Sequence, residues 1–67
     1  MTVARVTEIT ASSKKSVEDA INSGLKRASQ TLRGITGLEV INVKAKVSRG
    51  KVAEYRVKMK LTFILEG

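Results

Sequence analysis

The residues with the most capacity for chemistry are cations, and they cluster. Positions 44 to 60 hold Lys44, Lys46, Arg49, Lys51, Arg56, Lys58 and Lys60 against Glu54 alone, a local charge of +6. The planar guanidinium fork of an arginine suits phosphate or carboxylate. Arg56 is therefore a candidate ligand for a small anion, and Lys58 and Lys60 could join it to bind a nucleotide phosphate. The same residues also fit a plainer role. Alternating cations make a solvated sheet face that resists edge-to-edge pairing, and Arg56 then answers a glutamate across the sheet or in another subunit.

Other chemistries lack their reagents. The chain has no Cys and no His, which removes thiolate sites and the commonest general base and metal ligand. Ser, Thr, Lys and Tyr55 are present, but nothing in the sequence pairs one of them with an activating base. No catalytic residue is assigned, and the expectation is a protein that is not an enzyme. Calcium takes about six to eight oxygen ligands. The strand-region carboxylates Glu8, Glu39, Glu54 and Glu66 form no dedicated calcium loop, so no metal ligand is assigned.

Size and overall charge bound the rest. A chain of 67 residues is one domain, spanning 1–67, that buries only about 60% of its unfolded surface. Without staples such a domain relies on efficient packing or oligomerisation, and a homo-oligomer is expected. The net charge of +7 favours polyanions. Tyr55 and Phe63 are the only aromatic residues, which is a poor stacking platform for nucleic acid. The opening MTVARVTEIT has no apolar signal core, and no run reaches the ~20 apolar residues of a membrane span. The expected address is cytoplasmic, with no membrane partner.

The elements that must position the cations can be read from periodicity. Val3 to Thr10 is β-branched and reads as a strand, with Ala11 to Lys15 as a loop. Ser16 suits a helix N-cap, with Asp19 three positions on at the positive end of the dipole. Val17, Ala20, Ile21, Gly24, Leu25, Ala28 and Leu32 draw one helical stripe, and Gly34 reads as a left-handed C-cap. Gly24 inside the stripe implies close approach of the helix to a sheet. Residues 38 to 47 read as a second strand. Ala53, Tyr55, Val57, Met59, Leu61, Phe63 and Leu65 form a strict period of two and predict a third. A three-residue loop, Ser48-Arg49-Gly50, places Ala45 opposite Ala53, Val43 opposite Tyr55, Ile41 opposite Val57 and Glu39 opposite Met59. On the other face it places Lys44 opposite Glu54 and Asn42 opposite Arg56. The predicted fold is α+β, a β-α-β-β unit with a three-stranded antiparallel sheet in order 1-3-2 packed on one helix. One helix cannot cover so long a strand, so some of Leu61, Phe63 and Leu65 are expected to bury against a neighbouring chain.

Together these residues resemble the dodecins, small flavin-binding proteins that assemble as hollow dodecamers. The resemblance spans essentially the whole chain. It is carried by Val6, Ile9, Thr10 and Ser12, then Ala20-Ile21, Gly24-Leu25, Arg27-Ala28 and Thr31-Leu32-Arg33. Glu39-Val40, the run Tyr55 to Lys60, Phe63 and Leu65-Glu66 complete it. It implies a homododecamer of 23 symmetry and a flavin cofactor, FMN or riboflavin, in a binding or storage role. Family members stack paired flavin rings between tryptophans at the position of Gly37, and a family glutamine that bonds the ring edge falls at Arg56. Both are replaced here, so the flavin site is expected to be lost or altered. The chain is similar to a tryptophan-less branch with the same Tyr-Arg-Val pattern, for which calcium binding is proposed. The candidate ligand-binding residues are thus Gly37, Lys44, Arg56 and Lys58. The alternatives are a structural or carrier assembly that holds anions or calcium, and a basic protein that associates with nucleic acid.

Overall fold

A computed structural model describes residues 3–65. Glu66, one of the residues carrying the resemblance, lies outside them. The element order is β1 (Val3–Ser13), α1 (Val17–Ala28), β2 (Ile35–Ser48) and β3 (Lys51–Leu65). The sheet has three strands in order β1-β3-β2, and β3 runs antiparallel to both neighbours. This is the β-α-β-β architecture that the periodicity predicts.

The period of two in β3 places its alternate residues on α1. Val57, Met59 and Leu61 are fully buried and Phe63 is 8% exposed. Ile9, Ala11, Val17, Ile21, Leu25, Ala28 and Ile35 pack around the core formed by Ala20, Val57, Met59 and Leu61. Gly24 is a point of close approach. A Cβ built there would lie 2.8 Å from Ala11 Cβ and 3.1 Å from Met59 Cε, so only a bare Cα lets the helix sit this deep.

The junction between β1 and α1 is fixed by hydroxyls. Ser16 caps the helix, its Oγ accepting from the Asp19 N–H at 2.9 Å. Ser13, 8% exposed, donates to Asp19 Oδ2 at 2.6 Å and accepts from the Lys15 N–H at 2.9 Å. Each buried polar atom here therefore has a partner, as burial requires.

Three sequence expectations need correction. β1 runs on to Ser13 and absorbs the first three residues of the expected loop, because Ala11 and Ser13 both pack toward the helix. The helix stops at Ala28 with Ser29 as C-cap, not at Gly34. The Thr31 and Leu32 N–H groups both return to the Ala28 carbonyl, closing the last turn early. Gly34, with φ +72°, instead turns the chain into β2 and accepts from the Ile64 N–H at 2.9 Å. The β2-β3 connection is a two-residue turn, Arg49-Gly50, with φ values of 53° and 74°, closed by Ser48 opposite Lys51. Two positive φ values in sequence define the turn whose twist matches a hairpin.

That turn and three irregularities reset the hairpin register. The shifts fall at Ile35/Gly37, Val40/Asn42 and Lys46/Val47, leaving Thr36, Ile41 and Ala53 without direct partners. The observed pairs are Ala45 with Tyr55, Val43 with Val57 and Val40 with Met59, in place of the predicted pairs. Glu54 faces Lys46, and Lys44 faces Arg56.

The uncovered apolar surface extends beyond the residues expected to meet a neighbouring chain. Leu61 and Phe63 are buried within the single chain, and only Leu65, 44% exposed, is open. The larger open set lies on the hairpin arm. Twelve helical residues span about 18 Å, whereas the molecule is 52 Å long. Val40, Ile41, Val43 and Val47 of β2 and Val52 of β3 are exposed. Among the described residues no helix is long and apolar enough to cross a membrane.

Candidate functional site

Strand alternation turns one side chain in two away from the helix. On β3 these are Glu54, Arg56, Lys58, Lys60 and Thr62. Their neighbours follow from the register. Arg56 lies between Ser12 and Lys44, and Lys58 lies between Thr10 and Asn42. Lys60 lies between Glu8 and Glu39.

This register makes two different environments. Around Lys60 the sheet supplies carboxylates, with a glutamate on either side. Four residues back along β3, at Arg56, neither flanking strand supplies one. Lys44 and Arg56 are direct cross-strand partners, and like charges in that relation repel. Arg56 Nε lies 3.5 Å from Glu54 Oε2, on its own strand, and Lys58 Nζ lies 3.0 Å from Glu8 Oε1. The glutamate that answers Arg56 is therefore two residues away on the same strand, not across the sheet. Both pairs are solvent-exposed and contribute little to stability. Among the described residues these are the only ion pairs, so Lys44 has no carboxylate partner there.

A shallow cavity of about 300 Å³ lies over this region, lined by Thr10, Asn42, Lys44, Arg56 and Lys58. Three cations, an amide and a hydroxyl line it, with no carboxylate among them. Such a set can neutralise a small anion and donate several hydrogen bonds to its oxygens. It carries no base, no nucleophile with an activating partner and no ring for stacking.

The candidate residues named from sequence thus divide. Lys44, Arg56 and Lys58 converge on one cavity. Gly37 does not join them. It faces Thr62, four residues from Lys58 and about 13 Å along the strand. Gly37 lines a separate cavity of about 330 Å³ with Leu25, Ser29, Ile35, Thr36 and Leu38. Within one chain the two sets are apart. Thr10 and Asn42 were not singled out as ligand residues, because their place depends on the pairing of both outer strands with β3. Asn42 carried a signal in its alternation with Lys44, and Thr10 carried none.

A β-α-β-β domain with a helix on one sheet face, cations on the other and an uncovered apolar arm belongs to the class of small domains built to associate. The sequence matches the dodecin family over residues 3–66, and the chain belongs to that family. Solved structures agree. A dodecin from Streptomyces davaonensis is 38% identical, with a TM-score of 0.93, 98% of this chain covered and 97% of that one. A dodecin variant from Thermus thermophilus is 31% identical, with a TM-score of 0.95 and full coverage of both chains. The calcium-chelating calcium dodecin of Mycobacterium tuberculosis is 29% identical, with a TM-score of 0.81 over 96% of this chain and 91% of that one. A comparison with curated proteins finds no significant match.

Proposed function

We propose that the chain forms a hollow homododecamer of 23 symmetry that binds and stores a small anionic ligand without transforming it. The ligand sits on the sheet face away from α1, held by Lys44, Arg56 and Lys58 with Thr10 and Asn42. The observation that carries this reading is the direct opposition of Lys44 and Arg56 above a cavity with no lining carboxylate. A bound anion converts that repulsion into a shared attraction. Assembly is supported by the exposed valines of the hairpin arm, which one helix cannot cover.

A stacked flavin ring fits this chain poorly. Gly37 offers no ring, and Arg56 presents donors where the resemblance expects an amide. Aromatic stacking is worth about 1–3 kcal/mol per contact, so losing two walls weakens ring binding by orders of magnitude. Recognition therefore shifts from the ring to charged oxygens. Calcium, which the mycobacterial relative chelates, meets three cations at this cavity. Among the described residues no group of three or more acidic or other ligating residues gathers elsewhere.

Riboflavin and FMN share a ring and differ in a phosphate, so the pair tests the reading. Fluorescence titration is expected to show FMN binding that weakens with salt and with Arg56→Gln, and little riboflavin binding. Equal affinities for the two, insensitive to salt, would show that the ring is what the protein recognises.

A further inference from the structure

The second cationic region lies on the opposite side of β1. We propose that the groove between α1 and the free edge of β1 is a separate site for the diphosphate group of a small phosphate ester. Its volume is about 490 Å³, and it is lined by Thr10, Ala11 and Ser12 from the strand and by Ser23, Gly24, Lys26, Arg27 and Gln30 from the helical segment.

Four features build this site. Ser23, Lys26, Arg27 and Gln30 recur at the three- and four-residue spacings that put side chains on one flank of a helix. That flank faces β1, the outermost strand. Along an edge strand every second residue turns its N–H and C=O away from the paired neighbour. At least one residue of Thr10–Ser12 therefore offers backbone groups to the groove. Gly24 lets the helix close directly onto Ala11, where a Cβ would lie only 2.8 Å from Ala11 Cβ, so the floor of the groove is tightly closed and no helix side chain stands on it. Finally, the donors are uncommitted. Among the described residues the ion pairs involve neither Lys26 nor Arg27. The side-chain hydrogen bonds involve neither Ser23 nor Gln30.

The charge set selects the ligand. No carboxylate lines the groove, and its two cations are adjacent in sequence, about 100° apart around the helix, so they offer two separate points of attachment. One phosphate satisfies the Arg27 fork. A second phosphate reaches the Lys26 ammonium, with Ser23 and Gln30 donating to the outer oxygens. A neutral ligand leaves both cations unused.

The test uses the assembled protein, inorganic pyrophosphate and constant ionic strength, which removes general screening as a variable. Calorimetry of the parent protein is set against Arg27→Gln and Arg56→Gln, with hydrogen exchange read on peptides covering residues 9–13 and 22–31. Arg27 is exposed on the helix surface, so Arg27→Gln should fold, and circular dichroism checks it. Arg27→Lys keeps the charge without the fork and serves as a second probe. The expected result is at least about tenfold weaker groove binding in Arg27→Gln, from loss of a charge-assisted pair, with intermediate weakening in Arg27→Lys. Protection of the two peptides is expected in Arg56→Gln and lost in Arg27→Gln. Equal pyrophosphate binding in Arg27→Gln and the parent would overturn the proposal. Protection confined to peptides around Asn42–Lys44 and Arg56–Lys58 would overturn it too, while leaving the sheet-face site standing. Survival of the groove signal with no effect of Arg56→Gln would do the reverse.

Discussion

Replacing Lys44 with glutamate tests the register and the candidate site at once. In the structure Lys44 is the direct cross-strand partner of Arg56. The substitution converts a repulsive pair into an attractive one. Directly opposed charges on a sheet are worth about 0.2–1 kcal/mol with either sign, so the swing is about 0.4–2 kcal/mol of stabilisation. Arg56 already has Glu54 Oε2 at 3.5 Å, and its side chain is 59% exposed, which puts the expected gain near the lower end. Urea unfolding at matched protein concentration, which an assembling protein requires, measures it. The gain should be present at low salt and nearly absent at about 1 M, where screening acts within about 3 Å. Anion binding on the sheet face should be lost in the same variant. The register expected from a three-residue loop gives the opposite sign, because there Lys44 faces Glu54 and a glutamate would repel. Destabilisation of the Lys44→Glu variant at low salt would therefore refute the observed pairing and the anion cavity built on it.

Three further outcomes are expected. Gly24→Ala gains about 1 kcal/mol of helix propensity, but the new Cβ lies 2.8 Å from Ala11 Cβ. Overpacking costs about 1–3 kcal/mol, so urea unfolding should show no net gain or a loss of up to about 2 kcal/mol, and a clear stabilisation would contradict the close approach. Ser13→Ala removes the hydroxyl that joins Asp19 to the Lys15 N–H. It should cost about 1–3 kcal/mol, as expected when a buried hydrogen-bonding partner is lost, whereas an unchanged unfolding midpoint would show that the junction holds without it. Gly37→Trp combined with Arg56→Gln should raise riboflavin affinity, read by fluorescence quenching, and no rise would show that these two positions do not rebuild a ring site.

Much of the fold was legible because a few residues decide it. Seven apolar residues at strict period two can only be a strand with one buried side, and the Ser16-Asp19 spacing fixes where the helix begins. The helix end was not legible. Gly34 has the residue type of a C-cap, but the chain must already have turned by Thr31 to bring Ile35 opposite Phe63. The hairpin was misread for a related reason. Arg49 adopts φ 53°, a conformation that residue rules reserve mainly for Gly, Asn and Asp. That hid a two-residue turn, and with it the pairs that follow.

The candidate site was legible where it depends on parity alone. Lys44, Arg56 and Lys58 share a sheet face whatever the register within that parity. Which cation faces which carboxylate depends on Ile41 and Ala53, where the ladder slips by one residue. Nothing about an isoleucine or an alanine marks such a slip in sequence. Gly37 could be assigned a role only through the family resemblance, and its distance from the cations follows from β2 pairing along nearly the whole of β3.

Native mass spectrometry of protein purified without added ligand tests the central claim most directly. A particle near twelve times 7.3 kDa, about 88 kDa, is expected, with excess mass from a bound anion that disappears in the Lys44→Glu variant. A monomer or dimer would contradict the assembly, and a dodecamer carrying riboflavin would contradict the replacement of ring recognition by charge.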